Sequence, residues 1–261
     1  MKIIVCIKQV PDTTEVRLNP ETGTLIREGV PSIINPDDKC GLEAALVLKD
    51  KYEAHVTVLT MGPPQADFAL KEALAMGADE AILMTDRAFA GADTWATSLT
   101  LAKALEKMDY DLIIAGRQAI DGDTAQVGPE LAEHLKIPHV SYVEALEKDE
   151  NSLILKRRFE DGYHKVKVQM PCLITTLSEM NKPRYMKVGL IFDAHREKEI
   201  KKLSFDDLDI QKEEIGLKGS PTKVKKSFTK GAKTAGKLYK DLDENEAAKL
   251  IVEKLKEKFI I

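Results

Sequence analysis

Residues 118–129 have the types and spacing that are best suited to chemistry in this chain. They read Gln-Ala-Ile-Asp-Gly-Asp-Thr-Ala-Gln-Val-Gly-Pro and lie between an apolar run that ends near Arg117 and a helical pattern that starts at Glu130. A loop that leads from a strand into a helix presents unpaired backbone N–H groups and the positive end of the helix, and both favour an anion. The sequence therefore predicts a phosphate-binding loop at this position.

Several groups in the loop could contact a nucleotide. Gly122 permits unusual dihedral angles and Gly128 permits a close approach of the backbone, while Thr124 supplies a hydroxyl and Gln126 an amide. The candidate binding residues of the loop are Asp121, Asp123, Thr124, Ala125, Gln126, Val127 and Gly128. The two aspartates are unsuited to phosphate and are expected either to bind ribose hydroxyls or to cap the backbone. The segment matches neither a Gly-x-Gly-x-x-Gly motif nor a P-loop, so the pattern alone leaves the ligand open.

The elements that must position this loop alternate between two kinds. Short apolar runs rich in β-branched residues occur at 3–7, 55–61, 81–84 and 112–115, and amphipathic segments occur at 39–51, 65–76, 94–107 and 124–135. Such an alternation predicts an α/β fold with a mainly parallel sheet flanked by helices. The pair Asp93-Thr94 offers an N-cap to the third helix.

The pattern changes after Pro138. Residues 139–146, 153–159 and 164–168 have the period of two that predicts antiparallel strands, and residues 172–177 form a further apolar strand. We expect one mixed-sheet domain over residues 1–195. Residues 196–261 differ in kind, because the stretch 215–240 holds eight lysines and no acid and precedes an amphipathic helix over 247–259. The stretch is not expected to fold by itself, and the helix is expected to dock either on its own domain or on a partner.

Ligands of open α/β sheets bind beyond the carboxyl ends of the strands, so the other loops at those ends carry further candidates. Lys8 follows the first strand and could neutralise a phosphate, although a lysine at this position could equally be an ordinary surface residue. Thr94 stands at a helix start, where its hydroxyl could serve a ligand or could only cap the helix.

Composition excludes several classes of function. A formal charge of −4 over 261 residues gives no overall attraction to nucleic acid or to an anionic membrane, and no apolar run approaches the length of a membrane span. The three cysteines and five histidines have neither metal-ligand nor redox-motif spacing, and no Gly-x-Ser-x-Gly elbow is present. We therefore expect a cytoplasmic protein with reduced thiols, without a metal site and without a hydrolytic nucleophile.

Motifs along nearly the whole chain resemble the β subunit of electron transfer flavoproteins. They are Cys-Ile-Lys-Gln-Val-Pro-Asp at 6–12, Asn-Pro-Asp-Asp at 35–38, Met-Gly-Ala-Asp at 76–79, the segment 116–129, and Pro-Cys-Leu-Ile-Thr-Thr at 171–176 followed by Asn-Lys-Pro-Arg-Tyr at 181–185. The resemblance implies a Rossmann-like, adenine-nucleotide-binding domain over residues 1–195. It also implies that the arm and helix of residues 196–261 dock on an α subunit.

The family resemblance also implies a choice between two cofactors. Some family members hold a structural AMP in the β subunit, whereas bifurcating members of anaerobes hold a second FAD in its place. The sequence Asp-Gly-Asp-Thr-Ala-Gln-Val-Gly is similar to that of the bifurcating members, so we expect FAD, with AMP as the alternative. By resemblance, the residues expected against the adenosine part are Cys6, Asn35, Asp37 and Met61. The pyrophosphate is expected at residues 123–128, with Thr94 as a further candidate, and Lys8 could also neutralise a reduced flavin.

Partners follow from the same resemblance. NADH is expected to deliver hydride to the flavin, and the electrons are expected to pass to ferredoxin or flavodoxin and to an acyl-CoA dehydrogenase. Residues 184–193, with Val188, Leu190 and Ile191, resemble the loop that anchors the family to its dehydrogenase, although these aliphatic side chains could instead fill the core. A third hypothesis, a stand-alone nucleotide-binding regulator, is disfavoured by the long C-terminal arm.

Overall fold

The structure is a computed structural model that describes residues 1–12, 31–225, 236–240 and 242–261. The chain forms two compact units, Met1–Ser227 and Phe228–Ile261. The first unit extends beyond residue 195, where the sequence analysis placed the end of the domain, because the chain after α5 (Val188–Arg196) returns to the sheet.

The first unit is built on a nine-stranded mixed sheet with the order β11-β5-β4-β1-β6-β10-β7-β8-β9, and β2 pairs with β3 separately. The strands of the described residues are β1 (Lys2–Cys6), β2 (Gln9–Pro11), β3 (Ser32–Ile34), β4 (His55–Met61), β5 (Glu80–Met84), β6 (Leu112–Gly116), β7 (His139–Asp149), β8 (Ser152–Arg158), β9 (Tyr163–Gln169), β10 (Cys172–Thr176) and β11 (Lys201–Leu203). From β11 to β7 all neighbours are parallel, and β7, β8 and β9 are antiparallel. The predicted fold class is therefore confirmed.

Strand β10 lies in the parallel part of the sheet although it follows the antiparallel hairpin in the chain. It inserts between β6 and β7, and all five of its residues are buried. A strand that is apolar on both faces is stable only where both faces are covered, which the centre of the sheet provides.

Helices cover both faces of the sheet. The α-helices of the first unit in the described residues are α1 (Pro36–Tyr52), α2 (Asp67–Met76), α3 (Thr94–Leu105), α4 (Val127–Leu135), α5 and α6 (Gly216–Gly219), and the second unit contains α7 (Glu244–Glu257). Val5 of β1 shares one core cluster with side chains of α1 and α2, whereas Ile4 shares the other with side chains of α3 and α4. Because neighbouring residues of a strand point to opposite faces, β1 is buried between two helical layers.

The segment after β11 completes the second of these layers. Leu208 and Ile215 are buried in the cluster that contains Ile4, and Gly216 is buried as well. Residues 215–240 were not predicted to fold by themselves, and the first of these residues pack against the domain. Residues 226–235 and 241 lie outside the described residues, as do residues 13–30.

The second unit contains the predicted C-terminal helix, which begins earlier than predicted, at Glu244. The Asp243 carboxylate accepts the N–H groups of Asn245 and Glu246 at 2.8 Å, so the acidic start of the helix is a capping box. Among the described helices of both units, none combines the length and the apolar character needed to cross a bilayer.

Candidate nucleotide-binding site

The carboxyl ends of the central parallel strands meet at one edge of the sheet. Cys6, the last residue of β1, is level with Leu59 of β4 and Ala115 of β6. Cys6 and Met61 are partly buried and pack against the same hydrophobic cluster as Val127 of α4. Three predicted binding residues from distant parts of the chain therefore pack against one cluster, and Cys6 and Met61 lie at the ends of their strands.

Asp38 joins two of the strand ends. Its Oδ2 accepts the backbone N–H of Lys8 at 2.7 Å, and its Oδ1 accepts that of Gly116 at 2.9 Å. Burial raises the pKa of the Asp38 carboxyl to about 7, against the opposing effect of these two N–H donors. In the sequence, Asp38 stands out only as part of the Asn-Pro-Asp-Asp motif. One signal could have identified Asp38: it is an acid in the first turn of a helix that begins shortly after a buried strand residue, Ile34.

Asn35 fixes the start of the loop. Its fully buried side chain donates to the carbonyl of Gln118 at 2.9 Å and accepts the N–H of Ile120 at 3.1 Å. Both ends of the amide are thus used by the protein backbone. Asn35, predicted to lie against the adenosine, shapes the loop through these bonds.

Asp37 is likewise occupied within the protein. Its Oδ1 accepts the N–H of Ser178 at 2.9 Å, and its Oδ2 lies 3.3 Å from Nε of Arg117. The Oδ2 and Nε atoms are close enough to form an ion pair, but they do not form a hydrogen bond. Neither atom has a hydrogen-bond partner among the described residues. Asp37 therefore ties the start of α1 to the chain that leaves β10.

The two aspartates of the loop have protein partners. Asp121 Oδ1 is 2.7 Å from Nζ of Lys8, and Asp123 Oδ1 accepts a hydrogen bond from Nε2 of Gln118 at 2.8 Å. Lys8 is therefore not an isolated surface lysine. Asp121 compensates its charge, and the two side chains form an ion pair at the edge of the sheet.

The backbone of the loop turns at residues other than the one predicted. Asp123 and Ala125 have φ values of 51° and 54°, in the left-handed region, whereas Gly122 does not. Gly122, which permits such dihedral angles, therefore does not adopt them. Left-handed backbone at residues that are not glycine is uncommon and marks a conformation imposed by the surroundings, often at a functional site. These turns delay the start of α4 to Val127, although the amphipathic pattern predicted a helix from residue 124.

The first turn of α4 is not capped by the side chain of its N-cap residue. Gln126 occupies the N-cap position with a helical backbone, and its side chain makes no capping hydrogen bond. Around it, Asp123, Thr124 and Gln126 are exposed. The first turn of α4 therefore combines the positive end of a helix with accessible polar side chains, which is the arrangement that binds phosphate.

Gly128 has the close backbone contact that the sequence predicted, but the partner is a strand of the same chain. A Cβ atom at Gly128 would lie 2.6 Å from Cγ2 of Thr175 in β10. The glycine thus allows α4 to pack directly on the sheet, which brings the helix start to the strand ends.

Thr94 is close to this helix start. Asp93 caps α3 by accepting the N–H of Ala96 at 3.0 Å, so Thr94 is not the cap. The Thr94 hydroxyl is instead 3.4 Å from Oε1 of Gln126 and 3.2 Å from Oε1 of Glu130. The structure therefore brings Thr94 to the predicted loop.

Burial raises the pKa of the Cys6 thiol to about 12, with a smaller effect of the nearby Asp38 carboxyl. The thiol is neutral at physiological pH and offers an apolar contact surface.

Groups of three or more histidine, cysteine or acidic side chains that could hold a metal ion are absent from residues 1–12, 31–225, 236–240 and 242–261.

Two surface pockets lie elsewhere. They have volumes of about 580 and 790 Å³, and Lys2 and Asp109 line both of them at the opposite edge of the sheet. The ion pair of 2.7 Å between these two side chains already matches their charges. We therefore assign the site from its chemistry, since ligands of open parallel sheets bind in the crevice beyond the carboxyl ends of the strands.

The predicted anchor is a helix and not a loop over most of its length. Val188 is the first residue of α5 and is 71% exposed, whereas Leu190 and Ile191 are half-buried and Ile191 packs against the core. Tyr185 and Phe192 add further exposed aromatic surface. Ile191 therefore contributes to the core, whereas Val188 is accessible from solvent, and its role as a partner anchor stays a prediction.

Comparison with known proteins gives a consistent result. The model of the electron transfer flavoprotein domain matches residues 22–208. The chain is 62% identical to the electron transfer flavoprotein subunit beta of Clostridium acetobutylicum over the full length of both. It is also similar over both full lengths to subunit CarD of the caffeyl-CoA reductase-Etf complex of Acetobacterium woodii, at 55% identity, and to the electron transfer subunit gamma of acryloyl-CoA reductase of Anaerotignum propionicum, at 46%. The chain therefore belongs to the electron transfer flavoprotein family and is similar over its whole length to the beta subunits of that family.

Proposed function

We propose that this chain binds FAD at its 118–128 loop and acts, together with an α subunit, as the NADH-oxidising half of a bifurcating electron transfer flavoprotein. The observation that carries the nucleotide site is the start of α4. The N-cap residue of this helix makes no side-chain cap, the helix follows two residues in the left-handed region, and its start lies beside the hydroxyl of Thr94.

The residues at the edge of the sheet fit a dinucleotide in their chemistry. The N–H groups at the start of α4, with the side chains of Thr124, Gln126 and Thr94, would hold the pyrophosphate. The apolar surfaces of Cys6 and Met61 would lie against the adenosine part. Asn35 and Asp38 would act indirectly, because their hydrogen bonds hold the loop and the strand ends in place.

When bound, FAD would supply the redox chemistry by accepting a hydride from NADH and passing electrons on, one toward ferredoxin or flavodoxin and one toward the FAD of the α subunit and an acyl-CoA dehydrogenase. The chain's own contribution is binding and electrostatics. The ion pair of Lys8 and Asp121 places a positive charge beside the loop. This charge would attract the negative charge that a bound nucleotide adds.

The names of the relatives support an acyl-CoA partner. Two of them are described as parts of a caffeyl-CoA reductase complex and of an acryloyl-CoA reductase. We propose that the present chain likewise serves a dehydrogenase or reductase of acyl-CoA thioesters in the cytoplasm. We also propose that the C-terminal arm and α7 dock on the α subunit.

The second candidate is a family member that holds a structural AMP. The same helix start suits the single phosphate of AMP, so the loop geometry favours an anion but does not choose between the two ligands. The family resemblance of the Asp-Gly-Asp-Thr-Ala-Gln-Val-Gly sequence is what favours FAD.

A nucleotide count tests the proposal. The chain is purified with its α subunit, the nucleotides are extracted, and FAD and AMP are quantified per heterodimer. Two FAD and no AMP are expected, and one FAD with one AMP would reject the FAD assignment in favour of the second candidate. A monomer that retains only ATP would support the regulator hypothesis instead.

Dehydrogenase docking is tested separately at α5. Val188→Asp places a charge on an exposed apolar position, and we expect it to weaken binding of the acyl-CoA dehydrogenase by at least about tenfold, as for loss of an apolar contact at an interface. The nucleotide content of the heterodimer should not change. Lys187→Asp is the matched control on the neighbouring exposed residue, and an equal loss of binding in both variants would point to general charge and not to an apolar anchor.

A further inference from the structure

The C-terminal arm leaves the first unit at a defined place. We call residues 215–222 the arm root. Ile215 and Ser220 are buried, and the N–H of Leu217 donates to the carbonyl of Ala90 at 3.0 Å. Gly216 has a φ of 55°, and a Cβ atom there would lie 2.1 Å from the carbonyl oxygen of Ala88. The root is therefore fitted closely against the chain that leads from β5 to α3.

Asp93 holds the arm root and the helix start at the same time. Its Oδ1 caps α3, while its Oδ2 accepts both the N–H of Thr222 at 2.9 Å and the hydroxyl of Thr222 at 2.8 Å. The N–H of Asp93 donates to Oγ of Ser220 at 2.8 Å. Burial opposes ionisation of Asp93, but the donors from Ala96 and Thr222 outweigh it and keep the pKa of the carboxyl below its usual value. Both carboxylate oxygens are thus fully used, one on each side.

The next residue in the chain faces the proposed nucleotide site. The hydroxyl of Thr94 lies 3.4 Å from Gln126. Thr94 directly follows Asp93, the residue that binds the arm root. A ligand that orders the first turn of α3 from the Thr94 side therefore also orders the carboxylate that holds Thr222.

We propose that Asp93 is a positioning residue that couples nucleotide binding to the local order of the arm root. It connects the two because one helix start, that of α3, contributes Thr94 to the ligand side and Asp93 to the arm side. The inference rests on the proposed function, in that it needs a nucleotide at the 118–128 loop. Asp93 acts through the helix start and the arm root, without contact to the ligand.

Asparagine at this position separates the two duties of the carboxylate. Asn and Asp are equally good N-caps, so Asp93→Asn keeps an acceptor for Ala96. Its amide nitrogen can only donate and cannot accept the N–H of Thr222. Thr222→Val is the milder partner variant, because it removes the hydroxyl bond and retains the backbone bond.

Asp86 provides a matched control with the same design. Its Oδ1 accepts the N–H of Ala88 at 2.8 Å, and its Oδ2 accepts the N–H of Phe205 at 3.2 Å, so it too joins a helical turn to the returning segment. Asp86 belongs to another turn of the same connection and is not adjacent to Thr94. Asp86→Asn should loosen the segment at Phe205 without affecting the coupling.

The test measures hydrogen exchange of residues 215–225 in the full heterodimer, nucleotide-free and after addition of FAD or, separately, AMP. In the wild type we expect the bound nucleotide to slow exchange in the arm root by about tenfold, the range of local opening equilibria that a ligand can shift. The slowing should fall to less than about threefold in Asp93→Asn, take an intermediate value in Thr222→Val, and stay at the wild-type level in Asp86→Asn.

The nucleotide content of each sample separates the two ways of failing. A wild-type heterodimer that binds neither FAD nor AMP in this chain would remove the proposed function and this inference with it. Bound nucleotide without any slowing at the arm root overturns the inference alone. So does an Asp93→Asn protein that binds nucleotide and retains the full slowing.

Discussion

Helices α3 and α4 begin next to each other at the carboxyl edge of the sheet, but the N–H groups of their first turns are satisfied in different ways. At α3, Asp93 has an extended backbone and its carboxylate accepts the N–H of Ala96. At α4, Gln126 has a helical backbone and its side chain does not cap the helix. An uncapped helix start costs stability unless another group completes it, so the α4 start is the one that is suited to an external anion.

The same contrast appears in how the two helix starts approach the sheet. The turn before α3 is held by the arm root through Ser220 and Thr222. The start of α4 instead lies close to β10 through Gly128 and stays exposed on its outer side. The α3 start is therefore closed by the protein, while the α4 start is open to ligand. The predictions below change one helix start toward the character of the other, or remove what keeps the α4 start in place.

Gly128→Ala should have the largest effect, because the added Cβ meets Thr175 at 2.6 Å and forces α4 away from the sheet. Overpacking of this kind costs about 1–3 kcal/mol of unfolding free energy, and the displaced helix start should no longer retain nucleotide. Urea unfolding and the nucleotide content of the heterodimer measure the two effects. Gly122→Ala is the control, since a Cβ there meets nothing within 4 Å, and a large effect of that variant would contradict the packing argument.

Gln126→Asp makes the α4 start resemble that of α3. The added acid is favourable at a helix start and should leave stability unchanged or raise it by up to about 1 kcal/mol. A carboxylate facing the nucleotide phosphates should weaken nucleotide affinity by about 100-fold, which corresponds to about 2.7 kcal/mol of repulsion at this partly exposed site. Gln126→Asn is the neutral control. If the acid left affinity unchanged while the helix became more stable, the anion would have to bind elsewhere.

Parts of this contrast were predictable from the sequence. The N-cap of α3 was correctly predicted at residues 93–94, because an N-cap depends on residues next to each other in the chain. The loop before α4 was predicted, but the helix starts at Val127 and not at residue 124, and the left-handed backbone at Asp123 and Ala125 was not expected. This loop is held by contacts such as that of Asn35 with Gln118. Those contacts join residues far apart in sequence, and local propensity does not report them.

The same limit explains the other differences. The apolar pattern of β10 predicted a buried strand, yet its place between β6 and β7 depends on pairing across the sheet. Asp38 was not recognised as a link between strand ends, because a buried acid is explained only by its partners, and these are the N–H groups of Lys8 and Gly116. Sequence patterns thus identified the elements and the edge, whereas the connections that shape the site required the fold.

Asp38→Asn weakens the support beneath the open helix start. Both oxygens of Asp38 face backbone N–H groups, and the amide nitrogen of asparagine can only donate, so we expect a loss of about 1–3 kcal/mol in unfolding free energy at low pH. Because burial raises the folded-state pKa to about 7 from 3.8, the folded protein holds this proton more tightly than the unfolded chain between these values. The Asp38 contribution to stability is therefore fully present below pH 3.8 and declines as the pH rises toward 7.

The stability deficit of Asp38→Asn relative to the wild type should accordingly be largest near pH 4 and shrink toward pH 7. Urea unfolding of both proteins across this range measures the difference, in which the contributions of other titrating groups cancel. A deficit that grows with pH would mean that Asp38 is ionised throughout, held as a carboxylate by the two N–H donors. In that case the strand ends would be joined by a permanent charge.

Thr94→Val should have the smallest effect and tests whether the closed helix start also serves the ligand. Because Asp93 and not Thr94 caps α3, loss of the Thr94 hydroxyl should change unfolding free energy by less than about 0.5 kcal/mol. Nucleotide affinity should fall by about two- to tenfold, the effect of one hydrogen bond to a ligand. Ser98→Ala is the matched control, because its buried hydroxyl also contacts Glu130, at 3.3 Å, but lies one turn further along α3. If Ser98→Ala lowered affinity as much as Thr94→Val, the effect would act through Glu130 and the packing of α3 on α4, and the α3 start would have no part in the site.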